Sequence, residues 1–299
     1  MKVIVPCNNK GGVGKTCVTS LLAEYFSKVL KKKTLIIDLD PQCNISQRYL
    51  EMEVDHMHRE GHQPPIHCDY DENDPEDIKW AGRSSSADVF LYPELGIVPY
   101  PTMESNLEIL PAHAANLLSV EQCRQNDVAE LIYDRLSALF SLPDIQAEYD
   151  YVVIDTAPSK GPLTRSAMRS ATDIIIPTQM EDKPIRGVFG IMQLWAQENS
   201  LRGAHNQLNL IGILPNMVDA RTALHSSMLN SVSDDPVLGP HIIPFKLKRR
   251  IIYAENDTEF AVPKSIFDYS KNHDAKKECL ALCEYVFSKI TQEKLEVIA

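Results

Sequence analysis

Short apolar, β-branched runs alternate along the chain with longer segments in which apolar residues recur every three or four positions. This alternation is the order expected of parallel strands joined by crossover helices. Because the short runs are apolar at consecutive positions, both faces of the sheet are expected to be covered by helices. The predicted strands span residues 3–6, 35–39, 107–110, 151–155, 173–177, 208–214 and 242–245. The pattern predicts an α/β fold with a doubly wound, mostly parallel sheet flanked by helices.

Two of the predicted helices carry a clear apolar stripe. One follows the first strand, and the other lies near the C-terminal end of the chain. The first stripe consists of Val18, Leu21, Leu22, Tyr25, Phe26, Val29 and Leu30, and the second of Cys279, Leu282, Cys283, Val286, Phe287 and Ile290. Because residues three and four apart share one face of a helix, we expect both stripes, including the two cysteines, to lie in the core.

The composition is that of an ordinary soluble, globular chain. Of its 299 residues, 44% are hydrophobic and 24% are charged, which excludes a disordered, collagen-like or coiled-coil protein. The seven cysteines are scattered and odd in number, so we expect reduced, mostly buried thiols. The apolar runs are far shorter than the roughly 20 residues that cross a bilayer, and no secretory signal is visible. These features predict a single domain over residues 1–299 in the cytoplasm, with no stable membrane insertion.

An acidic segment interrupts the alternation of strands and helices. The net charge is −11, but residues 51–80 hold ten acidic residues against two basic ones, so the remaining 269 residues carry only −3. The overall charge argues against nucleic-acid binding, and its uneven distribution weakens that argument. With its prolines, glycines and serines, the segment at about 51–100 is expected to be an exposed, partly mobile insertion. Its potential metal ligands are His56, His58, His62, His67 and Cys68, whose irregular spacing favours a solvated loop over a metal site.

The sequence KGGVGKT follows the first strand and directly precedes the first helix. It departs from the phosphate-loop pattern G-x-x-x-x-G-K-[ST] in that Asn9 replaces the first glycine. The glycines let backbone amides turn toward phosphate oxygens, and the N-terminus of the helix adds a partial positive charge. Lys15 would then neutralise the β- and γ-phosphates of ATP, and the Thr16 hydroxyl would ligate Mg²⁺. We expect nucleotide contacts from Lys10, Gly11, Gly12, Val13, Gly14, Lys15, Thr16 and Cys17, and the order of strand, loop and helix disfavours a plain glycine-rich turn.

A second lysine, Lys10, gives the loop a more specific character. Its spacing to Lys15 resembles the deviant Walker A motif of the ParA/MinD family of P-loop ATPases. The resemblance covers residues 1–50 and about 105–290, and it implies a homodimer in the ATP-bound state. In that family such a lysine reaches across the dimer interface to the partner's nucleotide, so the resemblance makes Lys10 a candidate catalytic residue together with Lys15. A surface lysine without a role is the alternative for Lys10 considered alone.

Three acidic residues stand at the ends of predicted strands and match motifs of the same family. Asp38 and Asp40 lie in DLDPQ, which resembles the family's DxDPQ segment, and Asp155 ends a strand that resembles a Walker B motif. Carboxylates at this edge of an open α/β sheet face the ligand-binding crevice, although solvated turn acids are the alternative. The resemblance implies that Asp40 positions or activates the attacking water, and that Asp38 and Asp155 hold Mg²⁺ through water. It also makes Asn216, in ILPNMVD, a candidate adenine contact, with an ordinary loop asparagine as the alternative.

A basic cluster in the C-terminal half offers a second candidate interface. Lys246, Lys248, Arg249 and Arg250 place four cations within five residues, in the half of the chain where ParA-like relatives bind nonspecific DNA. In a dimer the cluster would occur twice and would contact phosphates without sequence preference. A solvated basic surface is the alternative. The few residues before Lys10 leave no room for the helix-turn-helix region with which larger plasmid ParA proteins read operators.

These features together predict an ATP-dependent partitioning or positioning ATPase. Its ATP-bound dimer would bind nonspecific DNA on the nucleoid and release it after hydrolysis that a ParB-like activator or cargo adaptor stimulates. A MinD-like, membrane-cycling ATPase is one alternative, although the tail from residue 289 onward is not strongly basic. An ATP-dependent small-molecule ligase on the same scaffold is another, although such enzymes usually lack a lysine of the Lys10 type. Iron–sulfur relatives are disfavoured because residues 155–171 contain no cysteine.

Overall fold

A mostly parallel β-sheet forms the centre of the fold. The computed structural model describes residues 1–57, 61–75, 77–123, 126–219, 221–258 and 261–291. The strands in these ranges are β1 (Lys2–Pro6), β2 (Thr34–Leu39), β3 (Glu53–Asp55), β4 (Gly61–Gln63), β5 (Tyr100–Pro101), β6 (Leu107–Leu110), β7 (Tyr151–Thr156), β8 (Asp173–Thr178) and β9 (Asn209–Pro215). Seven of these described strands form one sheet in the order β5-β6-β2-β7-β1-β8-β9, while β3 and β4 form a separate antiparallel pair. All neighbours in the large sheet run parallel except β5 and β6.

Helices connect the strands and cover the sheet. They are α1 (Lys15–Glu24), α2 (Asn44–Tyr49), α3 (Asp88–Leu91), α4 (Ala114–Glu121), α5 (Asn126–Phe140), α6 (Pro143–Glu148), α7 (Pro162–Ser170), α8 (Asp182–Leu201), α9 (Ala223–Ser233), α10 (Ile252–Asn256) and α11 (Asp274–Thr291). A π-helical turn over Tyr25–Val29 continues α1. The α/β fold with a doubly wound sheet is therefore confirmed. Within the described residues, no helix combines the length and the hydrophobicity that crossing a membrane requires.

The central strands bury side chains on both faces. On β2, Ile37 and Leu39 belong to the apolar cluster that also holds residues of α4, α5, α7 and α8. Ile36 points the other way and joins Phe26 and Cys283 in the cluster formed with α1 and α11. Consecutive positions of one strand thus enter two different cores, which explains the unbroken apolar runs in the sequence. The predicted burial of Cys279 and Cys283 is confirmed, and the structure leaves all seven cysteines as free thiols.

The predicted strand at 242–245 is wrong. This segment follows β9 but makes isolated bridges, pairing Ile242 with Ile213, and the next bridge pairs Lys248 with Val218. Pro244 lies between them and has no backbone N–H, so it interrupts a ladder of hydrogen bonds. The other predicted strands are present with ends shifted by one residue at most.

The stripe on the first helix ends earlier than predicted. In the π-helical turn the N–H of Leu30 donates to the carbonyl of Tyr25, five residues back. The wider turn rotates the chain relative to an α-helix, so Val29 is 42% exposed although it continues the apolar spacing. The buried stripe therefore ends at Phe26, with Leu30 only partly buried.

The acidic insertion is only partly an exposed loop. Its first half contains the β3–β4 hairpin and many exposed acidic side chains. Residues 84–90, in its second half, are mostly buried: the three serines 84–86 and the apolar side chains of Val89 and Phe90 pack into the protein. The Ser86 hydroxyl donates to the carbonyl of Asp38 at the end of β2. The expectation of an exposed segment is therefore wrong for residues 84–90, which support the strand that carries the candidate catalytic acids.

Candidate nucleotide-binding site

The loop between β1 and α1 has the backbone of an anion-binding loop. Gly12 and Gly14 adopt φ values of +74° and +86°, in the left-handed region that glycine enters without strain. A Cβ atom at Gly14 would also lie 2.3 Å from Nδ2 of Asn216, so no larger residue fits there. Since the glycine that precedes Lys15 carries no capping side chain, the first-turn N–H groups of α1 are available to an anionic ligand.

A cavity of about 530 Å³ lies in front of this loop. Its walls come from the loop itself and from the chain that follows β2, β7 and β9. The lining residues are Gly11, Gly12, Gly14, Lys15, Thr16, Cys17, Asp40, Gln42, Asn44, Gln47, Arg48, Pro158, Met217 and Asp257. The cavity has the volume of a small-molecule site and lies where the carboxyl ends of parallel strands place ligands. Val13, Asp38, Asp155 and Asn216 are buried around it.

Asp155 is held by two hydroxyl groups at the base of this cavity. Thr16 Oγ1 donates to Asp155 Oδ2 at 2.7 Å, and Thr19 Oγ1 donates to Asp155 Oδ1 at 3.3 Å. Burial raises the pKa of Asp155 to about 6, although the hydrogen bond from Thr16 opposes this shift. The arrangement presents a hydroxyl and a carboxylate side by side, which are the oxygen donors that Mg²⁺ prefers.

Asp38 organises the chain that follows β2. Its Oδ1 accepts the N–H of Asp40 at 2.9 Å, and its Oδ2 accepts the N–H and the hydroxyl of Ser46 at 3.2 and 2.6 Å. Burial and then the neighbouring charge of Asp155 raise the pKa of Asp38 to about 8. These bonds fix the turn that presents the Asp40 carboxylate to the cavity, where Asp40 Oδ1 accepts the N–H of Gln42 at 3.0 Å.

The two lysines of the loop differ sharply in exposure. Lys15 is 6% exposed, and its Nζ lies 3.4 Å from the carbonyl oxygen of Lys10. Burial lowers the pKa of Lys15, and the negative charges of Asp155 and Asp40 oppose this shift. Lys10 itself is exposed on the surface of the protein. One ammonium group is therefore directed into the cavity, while the other lies open to solvent.

Two polar side chains that the sequence analysis missed hold the loop in place. Asn8 is 1% exposed; its Nδ2 donates to the carbonyl of Pro177 on β8, and its Oδ1 accepts the N–H of Lys10 at 3.1 Å. Gln179 Nε2 donates to the carbonyl of Gly12 at 2.9 Å. The sequence signal for Asn8 is its position directly after an apolar strand. An amide side chain that is buried at such a position is normally hydrogen-bonded.

Asn216 braces the loop from the other side. Its Nδ2 donates to the carbonyl of Val13 at 2.8 Å, its Oδ1 accepts the N–H of Met217 at 2.9 Å, and the side chain is 4% exposed. The amide group thus supports the phosphate-binding loop. The contact with adenine stays a prediction, while Met217 lines the cavity beside it.

Arg48 closes one end of the cavity and was also missed. Its guanidinium bonds Glu24 Oε1 at 2.9 Å, the side chain of Asp257, and the carbonyls of Asn256 and Lys264. It lines both the nucleotide cavity and a neighbouring cavity of about 610 Å³. A single arginine in α2 gives no signal in the sequence, because its partners lie 24 to 216 residues away.

The basic cluster is partly neutralised by a carboxylate of α11. Lys248 Nζ and Arg250 Nη2 both bond Glu278 Oε1 on α11, at 2.8 and 2.7 Å. Partial burial raises the pKa of Glu278, but the bonds from Arg250 and Lys248 outweigh this effect and hold the pKa below its usual value. Lys246 and Arg249 are exposed. The cluster therefore presents two exposed cations, Lys246 and Arg249, and two that share one carboxylate.

The described part of the insertion contains one group of three potential metal ligands. His67, Cys68 and Asp69 place one potential ligand atom each within 4.8 Å of one another. Both ring nitrogens of the buried His67 are engaged, since Nε2 lies 3.2 Å from the carbonyl of Pro99 and Nδ1 accepts the N–H of Asp69 at 3.1 Å. His67 is therefore a structural residue of the insertion, and His58 lies outside the described residues.

The chain is similar to known nucleotide-dependent proteins. A family model described as an AAA domain matches residues 1–210. The chromosome-partitioning ATPase Soj of Thermus thermophilus is 28% identical over 221 residues, which are 74% of this chain and 71% of that protein. An ATP complex of a McdA variant from Cyanothece has a TM-score of 0.71 at 16% identity, covering 99% of this chain and 98% of that chain. A cobyrinic acid a,c-diamide synthase from Mycobacterium smegmatis, with bound ADP and magnesium, has a TM-score of 0.68 at 20% identity, covering 98% and 96%. The two structures share the fold.

Proposed function

The chain belongs to the ParA/MinD family of P-loop ATPases, and from this premise we propose that it partitions or positions a cargo through an ATP-dependent dimer. The ATP-bound dimer binds nonspecific DNA through residues 246–250, and hydrolysis releases it. A ParB-like activator or cargo adaptor triggers the hydrolysis step. The similarity to a chromosome-partitioning ATPase supports this choice among the functions of the scaffold.

The observation that carries the proposal is the different exposure of the two lysines in one loop. Lys15 is buried beside Asp155 and Asp40, where it neutralises the phosphates bound in its own subunit. Lys10 is exposed at the surface and reaches the nucleotide of a second subunit. The charge of the triphosphate then holds two protomers together, and loss of the γ-phosphate weakens this contact.

Mg²⁺ fits the oxygen donors at the base of the cavity. The Thr16 hydroxyl, bonded to Asp155 in this structure, would ligate the ion, and Asp155 and Asp38 would hold it through water. When bound, the ion would neutralise phosphate charge. Asp40, fixed by the bonds that run from Asp38, orients the attacking water. Asn216 Nδ2 carries two protons and donates one of them to the Val13 carbonyl. The second proton contributes the adenine contact.

Two variants test this assignment. Lys15→Ala removes the cation inside the cavity and is expected to abolish nucleotide binding, measured with a fluorescent ATP analogue. Asp40→Ala is expected to bind ATP and to remain as a DNA-bound dimer that does not hydrolyse it, measured by light scattering and phosphate release. An Asp40→Ala protein that hydrolyses ATP at the wild-type rate contradicts the catalytic assignment.

A small-molecule ligase is the competing function, because a cobyrinic acid diamide synthase shares the fold and a second cavity adjoins the nucleotide site. Retention of DNA that requires ATP and weakens with salt separates the two functions. A ligase of this class would show no such retention, and a membrane-cycling ATPase would instead bind anionic vesicles in an ATP-dependent manner.

A further inference from the structure

The loop that follows β7 is tied to a helix that the proposed mechanism does not use. Glu121 is the last residue of α4, and its carboxylate accepts one bond from this loop, from Ser159 Oγ at 2.6 Å on Oε1, and one from the first turn of α7, from the N–H of Leu163 at 3.3 Å on Oε2. Ser159 Oγ in turn accepts the N–H of Gly161 at 3.1 Å. One carboxylate thus fixes both sides of the turn between Asp155 and α7.

The position of the Glu121 carboxylate is unfavourable for α4 and favourable for α7. A carboxylate at the C-terminus of α4 meets the negative end of that helix dipole, whereas the N-terminus of α7 attracts it. The residue that precedes α7 is Gly161, which supplies no capping side chain, so Glu121 provides the missing acceptor from a distance of 42 residues in sequence. The interaction therefore serves α7 and the loop before it.

The same loop touches the nucleotide site. Pro158 lines the cavity, and its Cγ lies 3.8 Å from the Cβ position of Gly11 in the phosphate-binding loop. Lys160 lies against Gly190 of α8, where a Cβ atom would be 2.5 Å from its Nζ. A shift of the turn between residues 157 and 161 would therefore move one wall of the cavity, directly after the strand that carries Asp155.

We infer that Glu121 is a positioning residue for ATP hydrolysis: it holds the turn of residues 157–161 against the phosphate-binding loop in the conformation that the reaction requires. Glu121 is not among the residues that line the nucleotide cavity. Its loss lets the turn sample other conformations, so the reaction slows while the phosphate-binding loop still binds ATP. This inference rests on the proposed nucleotide site.

Gly161 supplies an unusually direct test of this contact. A Cβ atom at Gly161 would lie 1.9 Å from Glu121 Oε1, so Gly161→Ala displaces the carboxylate without removing it. The φ value of Gly161 is −75°, which alanine adopts without strain. Gly161→Ala and Glu121→Ala therefore break the same contact from opposite sides.

The experiment measures kcat, KM and the affinity for a non-hydrolysable ATP analogue in Glu121→Ala, Gly161→Ala and the double variant. We expect each single variant to lower kcat about tenfold, as for the loss of one charge-assisted hydrogen bond, with analogue affinity within about twofold of wild type. The double variant should resemble either single variant, because one contact can be lost only once. Glu121→Gln keeps one acceptor for Ser159 and should recover part of kcat, and Glu94→Ala, an exposed acid in the insertion, is the matched control.

Three results would overturn the inference: wild-type kcat in both single variants, additive effects in the double variant, or a loss of analogue affinity as large as the loss of kcat. Thermal unfolding of each variant shows whether it is folded, and Gly161→Ala retains the test if Glu121→Ala does not fold. The Lys15→Ala variant separates this inference from the proposed function. If Lys15→Ala still binds nucleotide, the proposed site is wrong, whereas normal hydrolysis in the Glu121 and Gly161 variants removes only the role of Glu121.

Discussion

At the scale of single residues, the site depends on buried polar side chains that fix backbone turns. Asp38 orders the turn that presents Asp40, Asn216 braces Val13, and Asn8 joins β8 to the start of the phosphate-binding loop. Each of these groups is buried and bonded, so removing one leaves a partner without its hydrogen bond. The geometry of the cavity is therefore set by residues behind its surface as much as by those that line it.

Asn8 offers a test of this point. Asn8→Ala leaves the N–H of Lys10 and the carbonyl of Pro177 without these bonds, and we expect nucleotide affinity to fall by about tenfold, as for roughly 1–2 kcal/mol of lost loop stabilisation. The measurement is titration with a fluorescent ATP analogue. Asn9→Ala is the matched control, because Asn9 is the neighbouring asparagine and is exposed. Equal affinities for Asn8→Ala and Asn9→Ala would show that the loop keeps its shape without this contact.

At the scale of elements, local patterns predicted most of the sheet because its strands are apolar on both faces. The phosphate-binding loop is also predictable from local sequence, because all its functional groups lie within a few consecutive residues. β5 was missed because it is two residues long and pairs at an edge. Buried Ser84–Ser86 looked like loop residues, since serine carries no apolar signal. Asn8, Arg48 and Glu121 act on partners far away in sequence, and no local spacing reveals such contacts.

Arg48 shows how one short helix is tied to distant parts of the chain. From α2 it bonds Glu24 of α1, Asp257 just after α10, and the carbonyl of Lys264. Its side chain is 9% exposed and that of Glu24 is 4% exposed, so their ion pair is largely shielded from water. Removing one partner of such a pair leaves an uncompensated buried charge, which is more costly than replacing both partners.

We expect Arg48→Met to lower the free energy of unfolding by about 3 kcal/mol, because the buried Glu24 side chain would lose its cationic partner. The double variant Arg48→Met with Glu24→Gln should regain part of this loss. Urea denaturation monitored by circular dichroism measures both. Arg221→Ala is the control, since Arg221 pairs with Asp219 on the surface and should show no measurable change. A double variant that is no more stable than Arg48→Met alone would contradict the ion-pair argument.

At the scale of the whole molecule, the acidic surface is separated from the candidate DNA-binding cluster along the chain. The first half of the insertion carries most of the excess negative charge, whereas residues 246–250 lie after β9 and next to α11. The total charge of −11 is therefore a poor guide to nucleic-acid binding, because phosphate groups interact with local charge within about 10 Å at ordinary salt concentrations. The proposed DNA contact depends on the exposed cations of this local surface, Lys246 and Arg249.

The pairing of Glu278 divides the cluster into two kinds of cation, and this division predicts how DNA binding depends on salt. Lys246 and Arg249 are exposed, so each phosphate that they neutralise releases counterions and contributes to the slope of log affinity against log salt. Lys248 and Arg250 already neutralise Glu278 and release fewer counterions on binding.

Replacing Lys246 and Arg249 together by glutamine removes four cations from each dimer and should reduce the magnitude of that slope by about 4, whereas the same change at Lys248 and Arg250 should reduce it by less. Gel-shift titrations of the ATP-bound Asp40→Ala protein against random-sequence DNA at several salt concentrations measure both slopes. A slope reduced by the same amount in both double variants would show that DNA phosphates displace Glu278 completely. Unchanged slopes in both would show that residues 246–250 do not form the DNA contact, even if ATP still drives dimerisation.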